Sequence, residues 1–337
     1  MNFRFRNNVY NLHPAEIGVL CGLVGVLAWG SITYLTSHAV ATVEVHISSR
    51  QRSSTQFTTN RDARTTLTIN AANLKSVETR NTWGRTVVAA GPDSSHIVVK
   101  VDRKLVGNAS QGSTPLLALM HVVMSRSGRT LRLQCDTNGL PIDTQGRIDL
   151  DVRVPAFMMV AVHSDSGKVK VSGTTGGVHV DTTSGDVHLN LKSGDLSAKS
   201  YSGAIGIRIA HPTGNLIVRT SSGNIFVATG RSTIPISAAL TSYSGRIGYH
   251  GDARVVTATT TSGDILINDP DLKPGIGSSI RSYSGSIALD LGEAYTGGVN
   301  ARTDSGNLEL PASVTNNGQP HQLVVQTTSG AIIVKKR

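Results

Sequence analysis

A tetrapeptide ending in Ser-Gly recurs through the second half of the chain, and its period constrains the fold more than any other feature. Each copy reads Ser or Thr, a variable residue, Ser and Gly, and apolar residues two positions apart follow it. The glycines of the nine copies are Gly167, Gly185, Gly203, Gly223, Gly245, Gly263, Gly285, Gly306 and Gly330. Their spacing of 18 to 24 residues is typical of solenoids and other repeat arrays.

Each copy has the chemistry of a corner followed by a short strand. Glycine adopts positive φ without a Cβ clash, and Ser or Thr hydroxyls bond nearby backbone groups, so the tetrapeptide predicts a turn. Behind the turn, apolar and polar residues alternate, as at Val169 and Val171 or Ile265 and Ile267. This period of two indicates a strand with one buried face. Weaker half-repeats between the copies indicate a second turn in each repeat.

The repeats therefore predict an all-β chain that forms a β-solenoid, with stacked coils of about 18–24 residues. Coils stacked at the ~4.8 Å spacing of neighbouring strands would align Ile, Val and Leu in ladders around a narrow core. An aromatic content of only 4% suits such a core. A β-sandwich is the competing fold, because it also has short strands at regular spacing, but it does not require the same tetrapeptide at every turn.

A second regularity lies two residues before the motif glycines, where tyrosine occupies alternate copies in the middle of the array. These tyrosines are Tyr201, Tyr243 and Tyr283. Either each coil has about 20 residues and the tyrosines recur on alternate coils, which we favour, or each coil has about 40 and they stack directly. The three rings are candidates for stacking against a ligand, and packing at the corner of the fold is the alternative interpretation.

Residues 14–37 are predicted to form a transmembrane helix that acts as a signal anchor. They contain the segment 17–35, 19 predominantly apolar residues without a charge, which is long enough to cross a bilayer. Two arginines in the preceding tail, residues 1–13, favour a cytoplasmic N-terminus and an extracytoplasmic C-terminal part at the cell membrane. Cleavage after Ala41 is the alternative, although the apolar stretch exceeds the usual core of a signal peptide.

The remainder of the chain divides by composition into three parts. Residues 38–62 are rich in Ser, Thr and Arg and are expected to be a spacer. Residues 63–160 are expected to form an N-terminal β-region, whose alternating strand at 147–155 leads directly into the repeat solenoid of residues 161–337.

These features together resemble the bacterial DUF4097 family, whose members are described as adhesins with a β-solenoid repeat region. The resemblance rests on the SxSGxI repeats, on the alternating strand that ends in Val-Pro before them, and on the N-terminal apolar segment. It covers roughly residues 60 to 337. It implies a role at the cell envelope, and it carries no catalytic residues across to this chain.

The motifs of common catalytic and metal sites are missing from the sequence. G-x-S-x-G, HExxH and CxxC do not occur, and we assign no catalytic, cofactor-binding or metal-binding residue and no cofactor. Asp186, Asp195 and Asp264 follow glycines and would suit a calcium column, but the calcium-binding repeat motif is absent. Cys135 is the only cysteine outside the apolar segment, so an intrachain disulfide is not expected there.

The sequence thus favours a membrane-anchored, outward-facing, non-enzymatic module of the cell envelope. The net charge of +10 is concentrated in the first 160 residues, where anionic envelope polymers or lipid headgroups are suitable counterparts. The expected partner is an envelope polymer, a surface ligand or a membrane protein, and not nucleic acid. The alternatives are a polysaccharide-active β-helix enzyme and the extracellular sensor part of an envelope-stress signalling system with a membrane partner.

Overall fold

The structure is a computed structural model. It describes residues 64–106, 116–117, 119–137, 139–140, 145–232, 234, 236–269, 272, 277–293, 295–314 and 323–336, together with the backbone of four short strands before residue 64. The predicted transmembrane segment 14–37 lies outside the described residues. Within the described ranges, no helix has the length and apolar character needed to cross a bilayer.

The described secondary structure consists almost wholly of β-strands, as the alternating patterns predict. The strands are β1 (Asn2–Phe5), β2 (Asn8–Asn11), β3 (Thr42–Val45), β4 (Thr55–Phe57), β5 (Arg64–Asn70), β6 (Ser76–Trp83), β7 (Thr86–Ala90), β8 (His96–Val106), β9 (His121–Ser127), β10 (Thr130–Asp136), β11 (Gln145–Val154), β12 (Met159–Ser166), β13 (Val169–Ser172), β14 (Val178–Ser184), β15 (Val187–Leu191), β16 (Leu196–Ser202), β17 (Ile205–Ile209), β18 (Leu216–Ser222), β19 (Ile225–Thr229), β20 (Ser237–Ser244), β21 (Ile247–His250), β22 (Val255–Ser262), β23 (Ile265–Asp269), β24 (Ser279–Ser284), β25 (Ile287–Leu291), β26 (Val299–Ser305), β27 (Leu308–Glu309), β28 (Leu323–Ser329) and β29 (Ile332–Lys336).

Two long sheets contain nearly all of these strands. Sheet 1 has 13 strands in the order β26-β28-β24-β22-β20-β18-β16-β14-β12-β6-β10-β9-β4. Sheet 2 has 14 strands in the order β27-β29-β25-β23-β21-β19-β17-β15-β13-β7-β11-β8-β5-β3. Strands β1 and β2 form a separate antiparallel pair. Strands β3 and β4 fall within residues 38–62, so part of the expected spacer contributes edge strands to both sheets.

Each repeat contributes one strand to each sheet, joined by the Ser-Gly corner. In sheet 1, Ser166 pairs with Ser184 and Ser184 pairs with Ser202, so neighbouring parallel strands are offset by one repeat. In sheet 2, Val169 pairs with Val187 in the same way. The coil is therefore the shorter of the two considered, and this solenoid-like stack places the tyrosines on alternate coils.

The core lies between the sheets and is made of aliphatic columns. On sheet 2 the first inward position after the corner is at most 1% exposed in eight coils, at Val169, Val187, Ile205, Ile225, Ile247, Ile265, Ile287 and Ile332. Opposite them on sheet 1 lie Val162, Val180, Ala198, Val218, Leu240, Ala258, Ile280 and Val325, also at most 1% exposed. Burying a Val, Ile or Leu side chain contributes about 1.5–3 kcal/mol of stability. Because each coil contacts only the adjacent coils, its stability depends on packing against those neighbours.

The coils do not follow the order of the sequence at either end of the stack. The coil of β6 and β7 lies between that of β10 and β11 and that of β12 and β13. Likewise the coil of β28 and β29 lies between that of β24 and β25 and that of β26 and β27. Although strand β11 leads along the chain into the array, β7 separates it from β13 in space. Its alternate residues Ile148, Leu150, Val152 and Val154 are fully buried, as their pattern predicts.

Candidate functional site: a tyrosine-bearing face of sheet 1

The nine motif glycines lie in one column at the corner between the two sheets. The N–H of Gly185 donates to the carbonyl of Ser202 at 3.0 Å, and the same bond recurs from coil to coil. A Cβ on Gly185 would overlap the carbonyl oxygen of Gly167 in the preceding coil. The columnar contact therefore leaves no room for a side chain.

Positive φ is not the common reason for glycine in this column. Seven of the nine motif glycines have φ between +131° and +159°, but Gly223 and Gly306 do not have a positive φ of this kind. A Cβ on Gly223 would still overlap the carbonyl oxygen of Gly203. The close approach of backbones is thus the requirement that all nine positions share.

A tenth glycine, Gly84, continues the column and was missed from the sequence. It has a φ of +137°, and a Cβ on Gly167 would overlap its carbonyl oxygen. Its local sequence is Thr-Trp-Gly, which lacks the Ser of the motif. The following apolar alternation in β7 was the available signal.

Buried hydroxyls three residues before the glycines form a second column. Five of these hydroxyls donate to a glycine carbonyl of a neighbouring coil at 3.0–3.3 Å: Ser242, Thr260, Ser282, Thr303 and Thr327. In these five coils the first Ser or Thr of the motif thus hydrogen-bonds within the corner. The corresponding hydroxyls of the other four coils are also buried, but they have no hydrogen-bond partner among the described residues: Ser164, Thr182, Ser200 and Thr220.

Aspartate or asparagine directly after the glycine caps the next coil. Oδ1 of Asp186 accepts a hydrogen bond from the N–H of Ala204 at 3.2 Å, and Oδ1 of Asp264 accepts one from the N–H of Ser286 at 3.0 Å. At the opposite corner, Oδ1 of Asp195 accepts a backbone N–H at 2.9 Å. The carboxylates considered for a calcium column therefore serve coil-to-coil pairing, and no group of three metal-binding side chains occurs among the described residues.

These caps alternate with the tyrosines. The capping coils of Asp186, Asn224 and Asp264 carry Thr183, Ser221 and Thr261 two residues before their glycines. The capped coils between them carry the three tyrosines at that position. The sequence therefore repeats every two coils although the backbone repeats every coil, a coupling that sequence reasoning missed.

The tyrosine face is the outward surface of sheet 1 formed by β16, β18, β20, β22 and β24. Tyr201, Tyr243 and Tyr283 project from β16, β20 and β24 and are 66%, 67% and 65% exposed. Since two strand spacings separate successive tyrosines, their attachment points are about 9.5 Å apart. The rings form a row along the stack with a small side chain in each gap.

Cations and hydroxyls surround the rings. Lys199, Arg219 and Arg281 occupy the outward position two residues before the tyrosine column, and all three are exposed. None of the five described strands of this face contains Asp or Glu. Among the described side chains, no ion pair joins these three cations to a carboxylate. The face therefore carries a net positive charge, and it is bordered at one edge by Asp181 on β14, the register partner of Lys199.

The earlier coils of sheet 1 have a different, compensated surface. Glu78 pairs with both Arg80 and Arg132 at 2.8 Å, and His163 lies 3.9 Å from it. Burial of Glu78 opposes its ionisation, but hydrogen bonds and charges from the two arginines outweigh burial and hold its pKa below the ordinary value. Strand β14 lies between this ion-pair cluster and the tyrosine face.

Two described cavities lie away from the tyrosine face. One, of about 580 Å³, lies at the end of the stack and is lined by β27, β29 and the residues after β27. The other, of about 160 Å³, lies between β5, β8 and β11. The tyrosine face itself is an open surface, because its three rings are about two-thirds exposed.

Comparison with known proteins matches the repeat region to a family. The family model Toastrack DUF4097 matches residues 143–254 and 213–334. Comparison with curated proteins found no match.

Comparison with solved structures found matches from several bacteria. A putative adhesin from Bacteroides fragilis is 14% identical with a TM-score of 0.37, over 81% of this chain and 97% of that one. A putative adhesin from Parabacteroides merdae is 14% identical with a TM-score of 0.33, over 81% and 96%. A putative cell adhesion protein from Clostridium sporogenes is 7% identical with a TM-score of 0.21, over 81% and 99%.

Proposed function

The chain belongs to the Toastrack DUF4097 family, and we propose that it is a membrane-anchored, outward-facing module that binds a component of the bacterial cell envelope without catalysing a reaction. The observation that carries the proposal is the tyrosine face. Three rings about two-thirds exposed stand in a row on the outward surface of sheet 1, where each can cover apolar surface of a ligand while its hydroxyl stays in water. Tyrosine is enriched at interaction surfaces for this reason.

A stack of equivalent contacts also suits an adhesin-like role. Each coil offers a weak contact, and several contacts on one rigid surface raise the affinity for a long or repetitive ligand through effective concentration. The alternating coils fix the spacing of the rings, since Asp186, Asn224 and Asp264 tie each capping coil to the next. The scaffold thus presents its contacts at a constant pitch.

The use of the acidic side chains supports binding over catalysis. Hydrolysis of a glycoside requires two carboxyl groups flanking the scissile bond in a site that holds the substrate. On this stack Asp186, Asp195 and Asp264 hold backbone N–H groups, and Glu78 is held by two arginines. Burial raises the pKa of the Cys135 thiol, which disfavours the thiolate that a nucleophile needs.

Attachment to the membrane rests on the apolar segment of residues 17–35, which is long enough to span the hydrocarbon core. In the proposed orientation, which the two arginines of the preceding tail favour, the repeat array lies outside the cytoplasm, where envelope polymers and surface ligands are accessible. Resistance of the membrane-bound protein to alkaline extraction tests the anchor. Degradation of the array by protease added to intact spheroplasts tests its orientation.

The binding role is tested with the purified full chain in mild detergent, incubated with cell-wall polymers and with membrane extracts. Tyr201→Ala, Tyr243→Ala and Tyr283→Ala should each weaken retention modestly, and the triple variant should weaken it strongly, because each ring contributes one contact of several. The matched control replaces His188, Phe226 and Leu266 by Ala, which are three exposed side chains on the outward face of sheet 2.

Two results would contradict this function. One is equal retention of the tyrosine triple variant and the control variant. The other is the accumulation of new reducing or unsaturated sugar ends during the incubation, if a single Asp or His substitution stops it while the fold remains intact.

A further inference from the structure

The charge of the tyrosine face narrows the chemistry of its ligand. Lys199, Arg219 and Arg281 are its only charged side chains in the five described strands, and all are cationic and exposed. Arg281 donates to the Gln326 side chain at 3.2 Å, which leaves its charge uncompensated. A partner that approaches this surface is therefore attracted through acidic groups.

The cations and rings lie in two parallel rows along the stack. Lys199 precedes Tyr201 by two residues on β16, and Arg281 precedes Tyr283 by two residues on β24. Residues two apart on a strand point to the same face and are about 6.6 Å apart. Arg219 is the register partner of Lys199 on the next strand. A polymer running along the stack would meet both rows at once.

Most of the remaining outward side chains are small and carry hydroxyl groups, and Ile217 on β18, which is 40% exposed, is an apolar exception. Thr241 and Thr259 lie between the cations on β20 and β22, and Ser221 and Thr261 lie between the rings. A hydroxyl can both donate and accept, so such a surface matches the hydroxyl groups of a sugar without requiring one orientation. The C–H face of a sugar ring can meanwhile cover an exposed aromatic ring.

The density of charge distinguishes an acidic polysaccharide from nucleic acid. From β16 to β24 the three cations extend over about 19 Å, four strand spacings. Each strand of a nucleic-acid duplex carries a phosphate about every 3.4 Å. The affinity of a protein for nucleic acid depends mainly on how many of these phosphates its Lys and Arg side chains neutralise. Three cations would leave most phosphates unpaired, whereas a glycan with acidic groups on some of its sugars needs few cations and many hydroxyls.

We propose that the tyrosine face binds an anionic polysaccharide along the stack of coils, with sugar rings against Tyr201, Tyr243 and Tyr283 and acidic groups against Lys199, Arg219 and Arg281. This inference rests on the proposed binding function and names the ligand class for the same site. The ligand is held by repeated weak contacts, and the acidic groups set its selectivity against neutral glycans.

The test uses the full chain in mild detergent and two matched pairs of polymers. Polygalacturonate is compared with its methyl ester, and dextran sulfate with dextran, by affinity electrophoresis at low and at high salt. We expect each charged polymer to bind at least tenfold more tightly than its neutral counterpart, and the difference to shrink with salt.

The variant that carries Lys199→Gln, Arg219→Gln and Arg281→Gln should lose about tenfold of that affinity, as three exposed charge contacts would contribute. The control carries Lys170→Gln, Arg208→Gln and Lys335→Gln on the outward face of sheet 2, where all three side chains are exposed. It removes the same charge and should leave binding unchanged.

The outcomes separate the ligand class from the binding function. The inference is overturned if both charged polymers bind no better than their neutral counterparts, or if both cation variants behave alike. It is also overturned if a single-stranded oligonucleotide or anionic lipid vesicles bind more tightly at this face and are lost with the first variant. In each case, the proposed binding function is retained if the tyrosine triple variant still binds an envelope fraction more weakly than its control variant does. If the two variants bind equally, both the binding function and the ligand class are refuted.

Discussion

Gly185→Ala tests whether the glycine column sets the distance between neighbouring coils. In the folded chain Gly185 has a φ of +134°, which an L-residue rarely adopts, and an added Cβ would overlap the carbonyl oxygen of Gly167. The N–H groups of Gly167 and Gly185 donate to Ser184 and Ser202 at 3.0 Å, so coils that move apart weaken both bonds. The substitution therefore acts on conformation and packing together.

The two contributions can be estimated separately. A non-glycine residue in a sparsely populated region of φ/ψ space costs about 1–3 kcal/mol. Forcing an extra methyl group into a close-packed contact costs about 1–3 kcal/mol. We therefore expect Gly185→Ala to lower the free energy of unfolding by about 4 kcal/mol, well above the ~1 kcal/mol of an average point substitution.

Two further glycines isolate the contributions. Gly223→Ala adds the same backbone overlap, with Gly203, but without a positive φ, and should cost about 2 kcal/mol. Gly128 lies in the turn between β9 and β10 with a φ of +61°, and nothing lies within 4 Å of an added Cβ. Gly128→Ala should therefore cost only the conformational part, about 1 kcal/mol.

Urea unfolding of the full chain in mild detergent, followed by far-ultraviolet circular dichroism, measures all three free energies by linear extrapolation. Gly185→Ala should cause the largest loss of unfolding free energy, and Gly223→Ala should cause a larger loss than Gly128→Ala. If all three variants lose the same stability, close approach of the coils does not explain the glycines and the packing argument is refuted.

Two further predictions concern the acidic side chains. Glu78→Gln should lower the free energy of unfolding by about 1 kcal/mol at pH 7, because the side chain loses its charge to Arg80 and Arg132. Since the folded pKa of Glu78 lies below its ordinary value of 4.5, this stabilisation is present above that value and lost as pH falls through the folded pKa. Chemical unfolding of both proteins at pH 7 and pH 3 should show the difference only at pH 7, and a difference that is independent of pH would refute the electrostatic cause. Asp264→Ala should cost about 1 kcal/mol by freeing the N–H of Ser286, whereas Asp264→Asn should be nearly neutral, because Asn224 caps the next coil in the same way. Thermal unfolding compares these two variants, and equal losses would remove the capping role.

The core and the corners could be predicted from the sequence because both are local patterns. The alternation that begins at Val169 or Ile265 identifies a buried face without reference to any other part of the chain. The recurring Ser-Gly identifies the corner in the same way. Sequence alone left the number of residues in a coil open, since the tyrosines repeat every two coils and the glycines every coil.

Features that depend on which coils become neighbours could not be predicted. Gly84 shares the column with Gly167, but their positions differ by 83 in the sequence, and strands β7 to β12 lie between them along the chain. The cap from Asp186 to Ala204 is likewise visible only when adjacent coils are aligned in space. The positive charge of the tyrosine face required knowledge of which residues point outward on five different strands.

The coil of β28 and β29 lies between two coils that precede it in the sequence, and this order affects how the chain can fold during synthesis. Coils from β12 to β25 can dock in the order in which the ribosome produces them, since each pairs with the one before. The coil of β26 and β27 emerges next, yet its partner in sheet 1 is β28, which is made later. During that interval the edge of β24 is open and β26 has no neighbour, which is the arrangement that favours pairing with another nascent chain. Pairing of β28 with both β24 and β26 covers these exposed strand edges. A delay in the synthesis of β28 would therefore favour exchange of the terminal coil between molecules.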